Sequence, residues 1–131
     1  MYLLDTNVFL EILLRRKNSN AAKHVFASYP PADLFITDFS LHSIGIILFK
    51  RKRHDAFERF IKDIVIRTGI GVIELDMEDV PVLTRATKRF DLDFDDAYQY
   101  AVAEINGLDI ISFDADFDRT EKGRKVPDAD W

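Results

Sequence analysis

The sequence predicts an α/β fold, a three-layer α/β/α sandwich around a central parallel sheet of four to five strands. Short apolar runs, Tyr2-Leu3-Leu4, Leu34-Phe35-Ile36, Val72-Ile73-Glu74-Leu75 and Ile110-Ile111, alternate with longer stretches of helical periodicity. Such runs are too short for helices and read as strands buried on both faces. Strands and helices alternating at these lengths make a parallel sheet with helices on both sides. The third observation is that carboxylates gather where strands end, which is where open α/β sheets place their ligands.

The first strand is Tyr2 to Leu4, and a helix follows from Asn7 to about Arg16, with Val8, Leu10, Ile12, Leu13 and Leu14 as its apolar surface. Thr6 or Asn7 is expected to cap it. After the turn Asn18-Ser19-Asn20, a second helix runs from about Ser19 to Tyr29 and stops at Pro30-Pro31. Leu34 to Ile36 is the second strand. Thr37 or Asp38 then caps a helix from Phe39 to about Lys52, whose nearly continuous apolar surface implies deep burial or a place in a subunit interface.

His54 to Arg67 reads as one further helix, with Phe57, Phe60, Ile61, Ile64 and Val65 on its apolar face. Gly69 and Gly71 mark a turn, Val72 to Leu75 is the third strand, and Asp76 caps a helix through Val80, Leu83, Ala86 and Phe90. Pro81 is tolerated only if that helix starts near Asp79. In the last helix Phe94, Ala97, Tyr98, Ala101, Val102 and Ile105 recur at three-and-four spacing, and Gly107 ends it. The fourth strand, Ile110-Ile111, leads to Ser112-Phe113-Asp114-Ala115-Asp116-Phe117. A charged turn from Arg119 to Lys122 precedes an edge strand around Arg124-Lys125-Val126 and the tail Pro127 to Trp131.

Composition narrows the function classes. The 131 residues are expected to form one domain, 1–131, and 47% hydrophobic residues with 5 Gly and 4 Pro argue against disorder. With no cysteine, thiolate nucleophiles and cysteine-based zinc sites are excluded. No apolar run approaches the roughly 20 residues of a membrane span, and Met1 leads straight into a core strand, so no membrane association, no signal peptide and a cytoplasmic location are expected. The net charge of −5 is not that of a typical nucleic-acid binder. Its distribution says more: Arg15-Arg16-Lys17 and Lys50-Arg51-Lys52-Arg53 are basic clusters suited either to phosphates or to helix C-termini, and the acidic excess lies between Glu74 and Asp118.

Asp5 and Asp114 each follow directly on a core strand, so their carboxylates meet if those strands are neighbours. Asp93, at the N-cap position, and Asp96 fall at the start of the last helix, where the helix dipole favours acidic groups. Carboxylates are the ligands of hard cations such as Mg²⁺, so carboxylates meeting at one edge call for such a cation. The three histidines are scattered, and nothing pairs one with a carboxylate for catalysis.

On these residues the sequence resembles the PIN domain, the nuclease fold of VapC-type toxins in bacterial and archaeal toxin–antitoxin pairs. The resemblance rests on Leu3-Leu4-Asp5-Thr6-Asn7-Val8, on Asp96-Ala97 opening a helix with Ala101 and Ala103, on Gly107, and on Ser112-x-Asp114-x-Asp116-Phe117. It covers nearly the whole chain. It implies strand order 3-2-1-4-5, Mg²⁺- or Mn²⁺-dependent cleavage of RNA, a homodimer, and a small antitoxin protein as partner. By position, Asp5, Asp96 and Asp114 match the metal-binding and catalytic acidic residues and Asp116 a further acidic one. Thr6, Asn7 and Ser112 match its polar supporting positions.

The sequence departs from the family at the helix after the second strand, where Ser43 stands in place of the usual Glu. Glu11 or Asp38 is a candidate substitute. The departure keeps a second reading open, a catalytically weak PIN-like module that binds RNA or a protein. A phosphoacceptor receiver domain also clusters aspartates at strand ends, with an acceptor Asp at the end of the middle strand and a later Lys, but here the third strand ends at Leu75-Asp76 with no matching acidic pair at the first strand.

Overall fold

Leu3 and Leu4 show how the layers arise: adjacent on one strand, they point to opposite faces of the sheet. In the computed structural model, which describes residues 1–130, Leu3 packs with the last two helices and Leu4 with the first four. Ile110 and Ile111 divide in the same way. Helices thus cover both faces, and the expected three layers are present.

Four strands, β1 (Tyr2–Leu4), β2 (Leu34–Thr37), β3 (Gly71–Ile73) and β4 (Asp109–Ile111), form a parallel sheet in the order β3-β2-β1-β4. Leu3 pairs with Phe35 on one side and Ile110 on the other. The fifth position holds a single parallel bridge between Ile111 and Lys125 rather than a strand. The chain leaves β1 toward β2 and β3 and returns to add β4 on the opposite side. The order reverses between β1 and β4, and the loops after these two strands diverge to leave a crevice at the carboxyl edge.

Among the described residues six α-helices complete the fold: α1 (Thr6–Leu13), α2 (Ser19–Ser28), α3 (Asp38–Lys50), α4 (His54–Arg59), α5 (Val80–Phe90) and α6 (Phe94–Asn106). Asp5, not Thr6 or Asn7, caps α1, accepting from the Thr6 N–H at 2.8 Å, and the helix ends at Leu13 instead of Arg16. Thr37 caps α3 through the Ser40 N–H, as one of the two expected caps. On α3 only a stripe of Ser40, Ile44 and Leu48 is buried, and Ile46 and Phe49 stay more than half exposed. α5 starts at Val80 with Pro81 in its first turn, where the missing N–H costs nothing.

Three further expectations are corrected. The helix drawn from His54 to Arg67 is α4 followed by a π-helical turn, Phe60–Ile66, in which buried Phe60 and Val65 lie five apart, the π spacing. β3 begins at Gly71 and stops before Glu74-Leu75, because the Leu75 N–H bonds the Tyr98 hydroxyl at 3.0 Å and not a neighbouring strand. Glycine at position 71 is needed there: a Cβ would come within 2.5 Å of the Phe35 ring. In α6 the periodic stripe holds for Ala97, Ala101 and Val102, but its ends overhang the core, leaving Phe94 58% and Ile105 42% exposed. Trp131, the end of the expected tail, lies outside the described residues. Among the described residues, no helix is long and apolar enough to cross a membrane.

Candidate functional site

The site is built from the ends of β1 and β4. The Asp5 N–H bonds the Ile111 carbonyl at 2.9 Å, extending the β1–β4 ladder by one rung and setting Asp5 beside Ser112. A carboxylate that close to the core must be satisfied by the protein. Its Oδ1 accepts from the Thr6 N–H (2.8 Å) and from Nε2 of Gln99 (3.1 Å); its Oδ2 accepts from the Ser112 hydroxyl (2.6 Å) and Nδ2 of Asn7 (3.2 Å). Asn7 also bonds the Phe113 N–H through its Oδ1, and the Ser112 oxygen receives the Asp114 N–H. Asp5 is only 7% exposed, and burial pushes its carboxyl above the usual range despite these donors, with the Asp114 charge adding to the rise.

The sequence alone does not single out Gln99, which is 1% exposed and links three elements. Its Nε2 donates to Asp5 and to the Ser40 hydroxyl (2.8 Å), while its Oε1 accepts from the Thr37 hydroxyl (2.9 Å). Ser40 in turn shares a 2.7 Å hydrogen bond with Thr6. The available signal is spacing: Gln99 lies three residues after Asp96, on the same helix face. Among the described residues, no buried side-chain nitrogen or oxygen lacks a partner.

Beside this network Asp96, Asp114 and Asp116 each offer a carboxylate oxygen, all within 4.8 Å of one another. Asp96, at the start of α6, is 8% exposed; Asp114 and Asp116 come from the turn after β4 and are half-buried. Asp114 caps that turn through the Asp116 N–H at 2.9 Å. The Asp96 carboxyl is pushed up to about 8, first by burial, then by the charges of Asp114 and Asp5, a hydrogen bond with Asp114, and the charge of Asp116. Four carboxylates crowd one edge, and Arg119, paired with Asp116 at 3.0 Å, is the cation bonded to one of them. Oxygen-only donors with excess negative charge fit a hard divalent cation such as Mg²⁺ or Mn²⁺.

Asp96 and Asp114, with Asp5 and Gln99, face a cleft of about 390 Å³, and Asp116 lies just outside its lining. Asp5, Asp95, Asp96 and Asp114 make one wall; Leu10, Phe39, Ser43, Ile46 and Ile47 of α1 and α3 make the other. Thr6 and Asn7 also line it. Ser43 therefore sits at the cleft, but neither candidate substitute does. Asp38 is turned aside, its Oδ1 taken by the Phe39 N–H and the Tyr98 hydroxyl at 2.7 Å. Glu11 is buried elsewhere, bonded to the Asn18 N–H and near Arg16. Asp93 occupies the N-cap position of α6 exposed and makes no side-chain cap bond, while Asp95, which no sequence motif marks, lines the cleft.

Residues 2–123 match the family model described as PIN domain. In three dimensions the chain is similar to FitAB bound to an IR36 DNA fragment, with TM-score 0.84 and 18% identity over 97% of this chain and 95% of that one. It is similar to a toxin–antitoxin complex from Klebsiella pneumoniae, with TM-score 0.76 and 17% identity over 97% and 98%. A third similar structure is VapC20 of Mycobacterium tuberculosis, a sarcin–ricin-loop-cleaving toxin, with TM-score 0.74 and 22% identity over 88% and 92%. At such identities the likeness is one of fold. No curated protein matches the sequence.

Gln99→Leu keeps the bulk of the side chain but leaves Asp5, Thr37 and Ser40 each short of a buried partner. Each keeps another partner, Asp5 three donors and Thr37 and Ser40 each other, so the loss is that of three net hydrogen bonds at about 0.5–1.5 kcal/mol each, and urea unfolding should show a loss of about 2 kcal/mol or more; a loss below about 0.5 kcal/mol would mean the network does not depend on Gln99. The raised Asp96 carboxyl sets a pH dependence. The folded state binds its proton more tightly than the unfolded state, so in EDTA stability should fall as pH rises from about 4 toward about 8. Mg²⁺ should then raise the melting temperature more at pH 8 than at pH 5, and Asp96→Asn should flatten the metal-free pH slope; a slope unchanged by that substitution would contradict the assignment.

Proposed function

The chain belongs to the PIN domain family, and from that premise we propose that it is a metal-dependent endoribonuclease, the toxin of a toxin–antitoxin pair. The observation that carries the proposal is the group of Asp96, Asp114 and Asp116 oxygens within 4.8 Å at the sheet's switch point. These three would hold Mg²⁺ or Mn²⁺, with Asp5 completing the acidic wall. When bound, such an ion lowers the pKa of water and neutralises charge on a phosphodiester.

The chain's own groups do the rest. Asp5, fixed by four donors, holds the ends of β1 and β4 so that Asp114 meets Asp96. Burial and the neighbouring carboxylates raise the Asp96 carboxyl to about 8, so a proton there would relieve the repulsion among the carboxylates in the metal-free site, and a bound cation would serve in its place. Ser43 presents a hydroxyl to the cleft that can donate to a phosphate oxygen. The apolar wall of Leu10, Phe39, Ile46 and Ile47 limits water around the reacting bond.

RNA is the proposed substrate, a small antitoxin protein the proposed partner, and the cytoplasm the proposed location. A homodimer is proposed from the half-exposed Ile46 and Phe49 on α3, which with Leu41, Gly45 and Phe57 form a continuous apolar surface. One observation favours the second reading, a weak or silent binding module: α3 contributes Ser43 to the cleft and no carboxylate.

The test is cleavage of labelled RNA by purified protein with Mg²⁺ or Mn²⁺, against EDTA. Metal-dependent cleavage that falls about 100-fold or more in Asp96→Asn and Asp114→Asn supports the nuclease. RNA binding without cleavage under either ion, from folded and partner-free protein, supports the binding module instead.

A further inference from the structure

The cleft does not end at the carboxylates. On α1 its lining runs from Thr6 to Leu10, and on α3 from Phe39 through Ser43 to Ile46 and Ile47. Both helices start at the carboxyl edge of the sheet, and their last turns lie about 5 Å, one helical pitch, beyond these residues. Two basic stretches distant in sequence stand there. Arg15-Arg16-Lys17 follows α1, and Lys50-Arg51-Lys52-Arg53 ends α3.

The fold joins them: Nη1 of Arg53 donates to the Leu13 carbonyl at 3.3 Å, pinning the end of α3 to the end of α1. Lys52, Arg53, His54 and Arg59, with one carboxylate, that of Asp55, line a concavity beside this junction. All seven residues of the two stretches are exposed.

Their charges are also largely unopposed. Elsewhere Lys62, Arg67, Arg89, Arg119 and Arg124 each pair with a carboxylate within 4.0 Å. Within the two stretches, among the described residues, only Arg16 has such a partner, Glu11, at 4.0 Å. Asp33 and Asp38 are the sole carboxylates between residues 12 and 54, a span holding eight of the chain's 18 lysines and arginines. Each helix C-terminus offers about half a unit of negative charge, far less than the positive charge the two stretches carry.

We propose that the α1–α3 groove and this basic surface form one track for the phosphate backbone of a single RNA strand, leading it from the basic end to the acidic cleft. The proposal rests on the nuclease reading for the identity of the polyanion. It also resolves the mismatch between a net charge of −5 and a nucleic-acid substrate. The carboxylates repel RNA unless a cation covers them, and the basic end supplies attraction that does not depend on the cation.

The test is the salt dependence of binding of a fluorescein-labelled single-stranded RNA in EDTA, where it is not cut, between about 50 and 200 mM salt. Lys17→Ala/Arg51→Ala removes one cation from each stretch. Arg85→Ala/Lys88→Ala removes the same charge from the exposed side of α5 as a control. The slope of log affinity against log salt should fall by about 0.7 for each phosphate that the first variant no longer neutralises and stay at the wild-type value in the control. An unchanged slope in the first variant, or an equal fall in both, would overturn the track. Cleavage by wild-type protein with Mg²⁺, followed separately, reports on the nuclease reading: its absence with the slopes as expected rejects that reading and leaves the track in place.

Discussion

Everything at the carboxyl edge depends on satisfying one buried carboxylate, that of Asp5. Its four hydrogen bonds come from the first turn of α1, from α6 and from the end of β4. Through Gln99 and Ser40 the same network reaches the start of α3. Each donor can reach Asp5 only if its own element is in register, so the polar network fixes the relative placement of the elements more finely than apolar packing does. An apolar residue of similar size at position 5 would strand the donors of Asn7, Gln99 and Ser112, at about 1–3 kcal/mol for each buried one left unpaired. Also lost would be the order imposed on Ser112 and Asp114, and hence on the meeting of Asp114 with Asp96. The raised Asp5 carboxyl is the mark of a group held where charge is costly.

How much of this is legible in the sequence follows from what each signal measures. Strand-end carboxylates can be read because buried runs of three or four residues have few alternatives, and Asp5 and Asp114 both line the cleft beside the β1–β4 pair. Periodicity names a helix face but not the atoms it meets. Gln99 therefore looks like an ordinary helix residue, and only the docking of α6 over the ends of β1 and β2 makes it the link between Asp5, Thr37 and Ser40. Phe94 has the spacing of a core residue, yet as the first residue of α6 it overhangs the core. Asp38 has the position of a substitute for the missing Glu, but its carboxylate is drawn to Tyr98. The π turn at Phe60–Ile66 shares its apolar content with an α-helix and differs by one residue in register, which composition does not encode.

The charge layout of the molecule is polar along one groove. Carboxylates collect where β1 and β4 end, apolar side chains of α1 and α3 line the middle, and lysines and arginines collect where those helices end. Such a layout repels anions at the acidic end and attracts them at the basic end. Ser43 stands on the wall opposite Asp96 and Asp114, where α3 contributes no carboxylate to the cleft.

The central claim is that the Asp96–Asp114–Asp116 group is a cation site that holds a proton until the ion binds. Calorimetric titration of Mn²⁺ into metal-free protein at pH 7, in buffers of different ionisation enthalpy, tests it directly. The claim predicts saturable binding with release of about one proton per ion, since the ligand carboxyl must be ionised to bind, and the disappearance of both signals in Asp96→Asn. Binding without proton release, or binding unchanged by that substitution, would place the ion elsewhere and contradict the account.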